Sequence, residues 1–563
     1  MVQVLTNRGI DVNEIEQFLN PDESCIHDPK GLKNIEVAAR TILAHFLKGN
    51  RIHIQVDSDC DGYTSAAVLI NYLYRLLPTY TKNNISYSLH EDKHHGIGEV
   101  PEGVTLVIAP DSSSNENELH KELASKNIQV VILDHHHSNW DEEDPAIIVN
   151  NQMCDYPNKT LSGVGIVYKT CQVLDSLTHR REAEEFLDLV ALGMTADMMD
   201  TREFETRKLI LDGFKQVQNP FFYKMIEKQD FSMKGKVNQH TVAWYIAPYI
   251  NAITRTGTNE EKLLIFEAML EHKAHLLVPS TKRGCKGQEE LLVEQAIRAC
   301  TNVKSRQEKQ KGELLDFIRN TCDYNGSPIW SIILPEGRFQ GGLTGLVANQ
   351  LMSEYGVPVL LLHERNSDGI ITYEGSGRGF DTGLVKDWRL FCEEHHALYA
   401  EGHAMAFGVG FTQDGYNDFV DEVEYMFGGK STEKNYDVDF IWKWSDNFDN
   451  TILDLGNLGE DVWGQGVKEP YVIIEKIPVS SSNIQLMGKG TVRIDIPGCD
   501  TNCIKFGAMD MYEIIMARLG TGSDTTIDVT LCGNCAVNKW NGEEIPQIRI
   551  VDYDITSGPK WNF

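Results

Sequence analysis

Four short runs decide what architecture this chain can adopt. Residues 51–56 (RIHIQV), 104–109 (VTLVIA), 129–134 (QVVILD) and 145–149 (PAIIV) are near-continuous apolar stretches of strand length. Each gives way to a polar turn, and several turns lead into helical periodicity, as in TSAAVLINYLYRLL (64–77). Strands that are apolar throughout must be covered on both faces. A parallel α/β sheet wrapped by crossover helices is therefore predicted for residues 51–215.

The remaining sequence divides by pattern. At about 150 residues per domain, 563 residues predict three or four units. Residues 1–215 form the first. From 216 to 320 strand signals fade, and a charged helical run (EELLVEQAIRACTNVKSRQEKQKGELLDFI) predicts a helical connector. Residues 321–430 read as a second, smaller α/β unit: strand IWSIILP, helix GLTGLVANQLMSEY, strand VPVLLL, then a glycine-rich loop, EGSGRG. After FGGKSTEKN, which reads as a linker, residues 431–563 hold five strand-length runs and NKWNG as a hairpin, predicting a C-terminal β-barrel of OB-like type.

Composition narrows the function classes. The chain is 41% hydrophobic and 24% charged, ordinary for a globular protein, and no run approaches the ~20 apolar residues of a bilayer helix. No leader pattern is visible, and twelve cysteines are too sparse for a disulfide scaffold, so a cytoplasmic location with reduced thiols is expected. Fifty-two basic against 82 acidic residues argues against a generally basic nucleic-acid face. Bound cations would cancel part of that charge. Residues 282–311 also reverse it locally, with eight basic and four acidic residues, although a solvated helix face explains such a run equally well.

The sharpest chemical feature is Asp57-Ser-Asp59-Cys-Asp61-Gly62. Three alternating carboxylates suit a hard divalent cation. A calcium-binding EF-hand loop would need a glutamate at its twelfth position, where Val68 stands, and a helix rather than a strand before it. The cluster instead lies at the C-terminal end of a buried parallel strand, where open α/β sheets place their sites. The next strands deliver Asp111 and Asp134-His135-His136-His137, and LVALGMTADMMD carries Asp197 among apolar neighbours. Singly these read as caps or solvated histidines. Jointly they supply ligands for two divalent ions, which activate water and steady a phosphoryl transition state. An oxygen-rich set with one imidazole suits Mn²⁺ or Mg²⁺.

In order and spacing, VDSDCDGYTSAA, APDSSS, LDHHHSN, SGVGIVYK and LVALGMTADMMD resemble the DHH phosphoesterases. IAPYINAITR, EGRFQGGLTGLVANQLM, GSGRG, EGHAMAFG, VWGQGVKEP and NKWNG resemble the RecJ-like single-strand exonuclease branch, with its DHH-associated and OB domains. The resemblance implies metal ligation by Asp57, Asp59, Asp61, Asp111, His135 and Asp197, with Asp111 bridging the ions. Asp134 and His136 would orient ligands, and His136, Asp111 and His403 would be the catalytic residues. Arg255, Ser376 and Arg378 would hold phosphate, while Lys304 and Arg306 of the basic connector would line a DNA channel.

Three departures touch the grip on the DNA end. Glu401 and Phe407 stand where the pattern has small residues, and HEDKHHGIG lacks an arginine, leaving Lys93 or a histidine in its place. Cys499, Cys503, Cys532 and Cys535 offer a structural Zn²⁺ site, with buried free thiols as the alternative. The C-terminal unit carries 11 basic and 20 acidic residues, so it suits docking of a single-strand-binding protein, helicase or replication protein better than backbone tracking.

The reading is a metal-dependent, single-strand-specific DNA exonuclease of repair, recombination or replication, monomeric, with 5′→3′ polarity implied by resemblance alone. A phosphodiesterase for short oligonucleotides or cyclic dinucleotides, and a catalytically silent scaffold, are the rivals.

Overall fold

A computed structural model describes residues 1–90, 95–138, 141, 143–367, 369–380, 384–429, 436–459, 461–488, 490–520, 525–540 and 542–556. Lys93, most of the linker after Phe427, and Asn541 of NKWNG lie outside the described residues. The four apolar runs form β1 (Ile52–Val56), β3 (Leu106–Pro110), β4 (Gln129–Asp134) and β5 (Ile147–Asn150) of a five-stranded sheet. The fifth member, β2 (Ile85–Leu89), is half-buried along its length and lies at the edge. All pairings are parallel, in the order 2-1-3-4-5. The chain thus leaves β1 toward one edge and then returns past it. This reversal opens a crevice at the C-terminal ends of β1 and β3, where Asp57 and Asp111 emerge.

The helices of residues 216–320 do not form a separate body. Their apolar faces, from Phe221 to Val303, share one continuous core with the sheet and its flanking helices. Between them a short antiparallel hairpin intervenes, β6 (Leu277–Pro279) with β7 (Glu289–Leu291). The 30-residue helix Leu292–Thr321 then spans two cores, through Leu292–Val303 at one end and Leu314, Leu315 and Ile318 at the other.

The second α/β unit is a sheet of β8 (Trp330–Leu334), β9 (Val359–Ser367), β10 (Ile370–Arg378), β11 (Tyr399–His403) and β12 (Ala406–Thr412), ordered 11-12-10-9-8. EGSGRG, expected as a loop, is strand β10. Its glycines are there because neighbours occupy the space of a side chain: a Cβ at Gly375 would overlap the Leu361 carbonyl, and Gly377 faces the Phe407 ring. Phe407 is thus the complement of Gly377, buried in the core of this unit.

Among its described residues the C-terminal unit has seven strands rather than five: β13 (Val438–Lys443), β14 (Tyr471–Val479), β15 (Ile484–Met487), β16 (Thr491–Asp495), β17 (Asn502–Lys505), β18 (Ile527–Trp540) and β19 (Glu543–Thr556). They form one mixed sheet, ordered 13-14-18-19-17-16-15. Its core takes in Val4, Leu5, Ile10, Ile15 and Phe18, so the chain's first turns pack here and not in the unit expected for residues 1–215. Arg8 seals the joint with a bidentate pair to buried Asp439, and Arg207 stacks over Phe18 while donating to the Asp461 carbonyl.

The four cysteines are not assembled for zinc. On β18, Cys535 packs into the core with Cys503, whereas Cys532 is not part of that core. Among the described residues the candidate metal clusters contain no cysteine, and all twelve thiols are free. No helix among the described residues is long and apolar enough to cross a membrane.

Candidate active site and metal centre

The carboxylates converge because each terminates an element of the first unit. Asp57 follows β1. Asp59 caps the helix Cys60–Leu76 by accepting from the Gly62 amide at 3.0 Å, and Asp61 sits in its first turn. Asp111 follows β3 with φ of 67°, a left-handed turn locked by its amide donating to the Leu133 carbonyl at 2.8 Å. Asp197 ends the helix Leu187–Ala196. His135 follows β4, its Nε2 lying 3.3 Å from Asp111 Oδ1 and 3.4 Å from Asp197 Oδ2.

Three overlapping clusters result: Asp57, Asp59 and Asp111; Asp61, His135 and Asp197; Asp111, His135 and His136, with ligand atoms in each within 4.8 Å of one another. Asp111 belongs to two of them. The donors fit divalent cations on a direct observation. Asp57 Oδ1, Asp61 Oδ2, Asp111 Oδ1 and Asp197 Oδ2 are all buried without a hydrogen-bond partner. Buried carboxylates left so are costly unless a positive charge meets them.

The electrostatics agree. Burial, then repulsion from Asp59, pushes Asp61 up to about 7. Burial and the neighbouring carboxylates raise Asp111 and Asp197 far above the usual range. Burial also raises Asp57, against the pull of His95. His135 is drawn down to about 3 by burial and by His136, which keeps its ring neutral and able to ligate.

Asp134 is in none of the candidate metal clusters. It accepts from the amides of His135, His136 and Ser114 and from His136 Nδ1 at 2.7 Å, which fixes the turn that presents His135. Burial opposes the change, but the bond and charge of Asp134, together with the charges of Asp197 and Asp57, lift His136 to about 9.

Glycines that motif spacing alone left unexplained pack the back of the site. A Cβ at Gly163 would overlap Asp111, one at Gly62 would meet Asp57, and one at Gly193 would overlap Thr64 and lie 2.5 Å from Asp61 Oδ1. Ser162 Oγ donates to that same Asp61 oxygen at 2.8 Å. Gly193→Ala is therefore expected to displace Asp61, lowering metal affinity by roughly tenfold or more. Isothermal titration with Mn²⁺ checks this; unchanged affinity would mean the helix shifts freely.

The second unit faces this centre. His403, at the end of β11, is lowered by burial and by the charges of His136 and His137, while Asp59 opposes them. Arg255 and Arg378 neighbour each other: burial and the Arg255 charge bring Arg378 down to about 10, and half-buried Arg255 is lowered by desolvation while Asp59 opposes the shift. Neither guanidinium has a carboxylate partner among the described ion pairs. Ser376 Oγ lies 2.9 Å from Thr344 Oγ1, at the start of the helix Thr344–Tyr355. Two uncountered guanidinium groups beside hydroxyls and a helix N-terminus are suited to a phosphate.

Lys304 and Arg306 are placed differently. Arg306 is bound to Glu261 and the Thr256 carbonyl, and Lys304 pairs with Glu308. Lys282, Arg298, Lys309 and Lys311 are likewise paired with acids. The basic run is thus largely a neutralised helix face, the plainer of its two readings.

An all-parallel sheet with a carboxylate cluster at its switch point, faced by Ser376, Arg378 and His403 of a second α/β unit, carries the groups a metal-dependent phosphoesterase needs. Residues 51–194 match the DHH family, N-terminal domain, and residues 445–552 match the RecJ OB domain. YorK of Bacillus subtilis (strain 168), which carries the name of an SPbeta prophage-derived single-strand DNA-specific exonuclease, is 33% identical over 564 residues, covering 99% of this chain and 96% of YorK. The single-stranded-DNA-specific exonuclease RecJ of the same organism is 24% identical, over 98% of this chain and 67% of RecJ. The crystal structure of Thermus thermophilus RecJ in complex with Mn²⁺ superposes with a TM-score of 0.72 at 18% identity, covering 99% of this chain and 76% of that one. The chain belongs to the RecJ-like branch of the DHH phosphoesterases.

Proposed function

We propose that the chain is a metal-dependent, single-strand-specific DNA exonuclease, acting 5′→3′ and releasing mononucleotides. The observation that carries the reading is the meeting of two opposite charge deficits: four carboxylate oxygens buried without a hydrogen-bond partner, and two neighbouring guanidinium groups without an ion-pair partner among the described residues, Arg255 on the helices packed against the first sheet and Arg378 on the second unit. A phosphodiester strand with bound cations satisfies both. The names of the relatives supply the substrate and the polymer specificity.

Asp57, Asp59, Asp61, Asp111, His135 and Asp197 would hold two ions, Mn²⁺ or Mg²⁺. Such ions polarise a phosphoryl oxygen and lower the pKa of bound water. Arg255, Ser376 and Arg378 would grip the phosphate that sets the strand's register. His136, its Nδ1 committed to Asp134, and His403 would stand at the leaving oxygen and pass it a proton. The substrate implies a cytoplasmic, monomeric enzyme of DNA repair, recombination or replication. The acidic C-terminal unit would then dock a replication or repair protein rather than DNA.

Single-stranded DNA labelled at either end, incubated with Mn²⁺, tests the reading. Immediate release of 5′ label as mononucleotide and a shrinking 3′-labelled ladder are expected. Arg378→Ala should raise KM for 5′-phosphorylated strands by roughly tenfold, the worth of one charge-assisted contact, with a smaller change in kcat. Long strands left intact while short oligomers are hydrolysed would move the assignment to a small-substrate phosphodiesterase. DNA bound but never cut would make the chain a scaffold.

A further inference from the structure

The metal centre leans on the C-terminal unit. Asp61 is held by the Ser162 hydroxyl at 2.8 Å, whereas Asp197 Oδ2 is buried without a hydrogen bond. The place of Asp197 therefore depends on the backbone that carries it. The helix Leu187–Ala196 closes there with the Met198 amide donating to the Thr195 carbonyl at 3.2 Å and the Met199 amide to the Met194 carbonyl at 3.1 Å. Such a closure needs a left-handed residue, usually glycine, just after Asp197. Met198 stands there with φ of 57°. A bulky residue keeps that conformation only where its surroundings fix it.

A turn of the C-terminal unit fixes the residues that follow. Gly464 and Val467 exchange both backbone hydrogen bonds at 3.0 Å, closing a turn with Gln465 near its tip. Trp463 and Val467 root that turn in the core of the C-terminal unit. Arg207 holds its entry through the Asp461 carbonyl at 2.8 Å, and Arg8 holds its exit through the Lys468 carbonyl at 3.0 Å. The Gln465 carbonyl then accepts two bonds from buried Thr201, one from the amide at 3.0 Å and one from the hydroxyl at 2.9 Å. Neither glycine of the turn has room for a side chain. A Cβ at Gly464 would meet Gln239 and Thr201, and one at Gly466, whose φ is 82°, would overlap Asp200. The turn thus bears directly on the segment that leaves Asp197.

We propose that this turn is a brace for the metal centre, and that Thr201 is a positioning residue acting through Asp197. The C-terminal unit then completes the ligand set, a role separate from docking a partner. The proposal rests on the reading of Asp197 as a metal ligand, and not on the substrate or the polarity of cleavage. With the turn seated, Asp197 is kept beside Asp61 and His135. Loss of the Thr201 bond frees Met198 to leave its left-handed conformation, and the carboxylate moves with the backbone.

Thr201→Val removes the hydroxyl while keeping the shape and the amide bond, and Thr201→Ser keeps the hydroxyl. Isothermal titration of the full chain with Mn²⁺, for each variant alone and combined with Asp197→Asn, tests the brace without any nucleic acid. Thr201→Val should lower Mn²⁺ affinity by about tenfold, and Thr201→Ser should stay within about twofold of the wild type. Asp197→Asn should weaken binding by itself, and Thr201→Val added to it should cost nothing further, because the two residues act as one. Full Mn²⁺ affinity in Thr201→Val with a lowered melting temperature would overturn the proposal, since Thr201 would then only join two units. A loss that adds in full to that of Asp197→Asn would overturn it as well. Unchanged affinity in Asp197→Asn alone would remove the ligand, and the brace with it. Coupled losses in a protein that leaves all DNA intact would support the brace and sink the nuclease reading.

Discussion

Asp111→Asn is expected to abolish DNA degradation, by roughly 10³-fold or more, and yet to raise the melting temperature of the metal-free protein. Both effects have one cause. Asp111 belongs to two of the three ligand clusters, and its Oδ1 is buried without a hydrogen bond, 3.3 Å from His135 Nε2. Without cations it is a buried acceptor repelled by Asp61, Asp59 and Asp57, which is why its ionisation is pushed so far up. An amide removes the charge and keeps the shape. Asparagine also tolerates the left-handed backbone at φ of 67° better than other residues, so the turn between β3 and the crevice survives. Relief of an unpaired buried acceptor is worth about 1–3 kcal/mol. Each kcal/mol moves the midpoint by about 2–4 °C in a domain of this size. Differential scanning fluorimetry in chelator, beside the end-labelled nuclease assay, reads both. Lost activity with a lowered midpoint would mean that Asp111 is a structural cap, and the metal assignment would lose its bridging ligand.

The sheet strands were legible where the physics is local. β1, β3, β4 and β5 are buried along most of their length, so their sequences are mainly apolar and stand out from their turns. β2 escaped because it is only half-buried along its length: ISYSL mixes serines with apolar residues and resembles a loop. EGSGRG misled in the opposite way. Glycine in a strand weakens local propensity, and the reason for it, a carbonyl at Gly375 and an aromatic ring at Gly377, belongs to the neighbouring strands.

Partners distant in the chain were harder still. The helix Val2–Asn7 and Asp439 of β13 meet across more than 400 residues, and nothing near either signals it. Within the candidate site, the convergence of carboxylates was readable because acids after buried strands are conspicuous. His95 was one undifferentiated member of a polar, histidine-rich run, since its partner Asp57 lies 38 residues earlier. The basic connector shows the limit of charge counting: Arg306 pairs with Glu261, 45 residues away and outside the counted window.

The same carboxylate cluster makes the stability of the protein depend on pH in opposite directions with and without cations. Unfolded aspartates ionise near 3.8, whereas folded Asp61 holds its proton to about 7, and Asp57, Asp111 and Asp197 are raised as well. Below about pH 4 these carboxyls are neutral in both states and the cluster costs nothing. Above it, the folded chain binds more protons than the unfolded one, so stability falls as pH rises toward and past 7. Bound cations reverse the balance, because ionised carboxylates are then paired and protons compete with metal only on the acid side. In chelator, the melting temperature should therefore drop between about pH 5 and about pH 8, while the increment from saturating Mg²⁺ or Mn²⁺ should grow over the same interval. Asp111→Asn should flatten both trends, since it removes one of the strongest repulsions in the cluster. A metal increment independent of pH would mean that the cations bind elsewhere on this acidic chain. A flat melting curve in chelator would mean that the folded carboxylates are paired in a way their orphaned oxygens do not reveal.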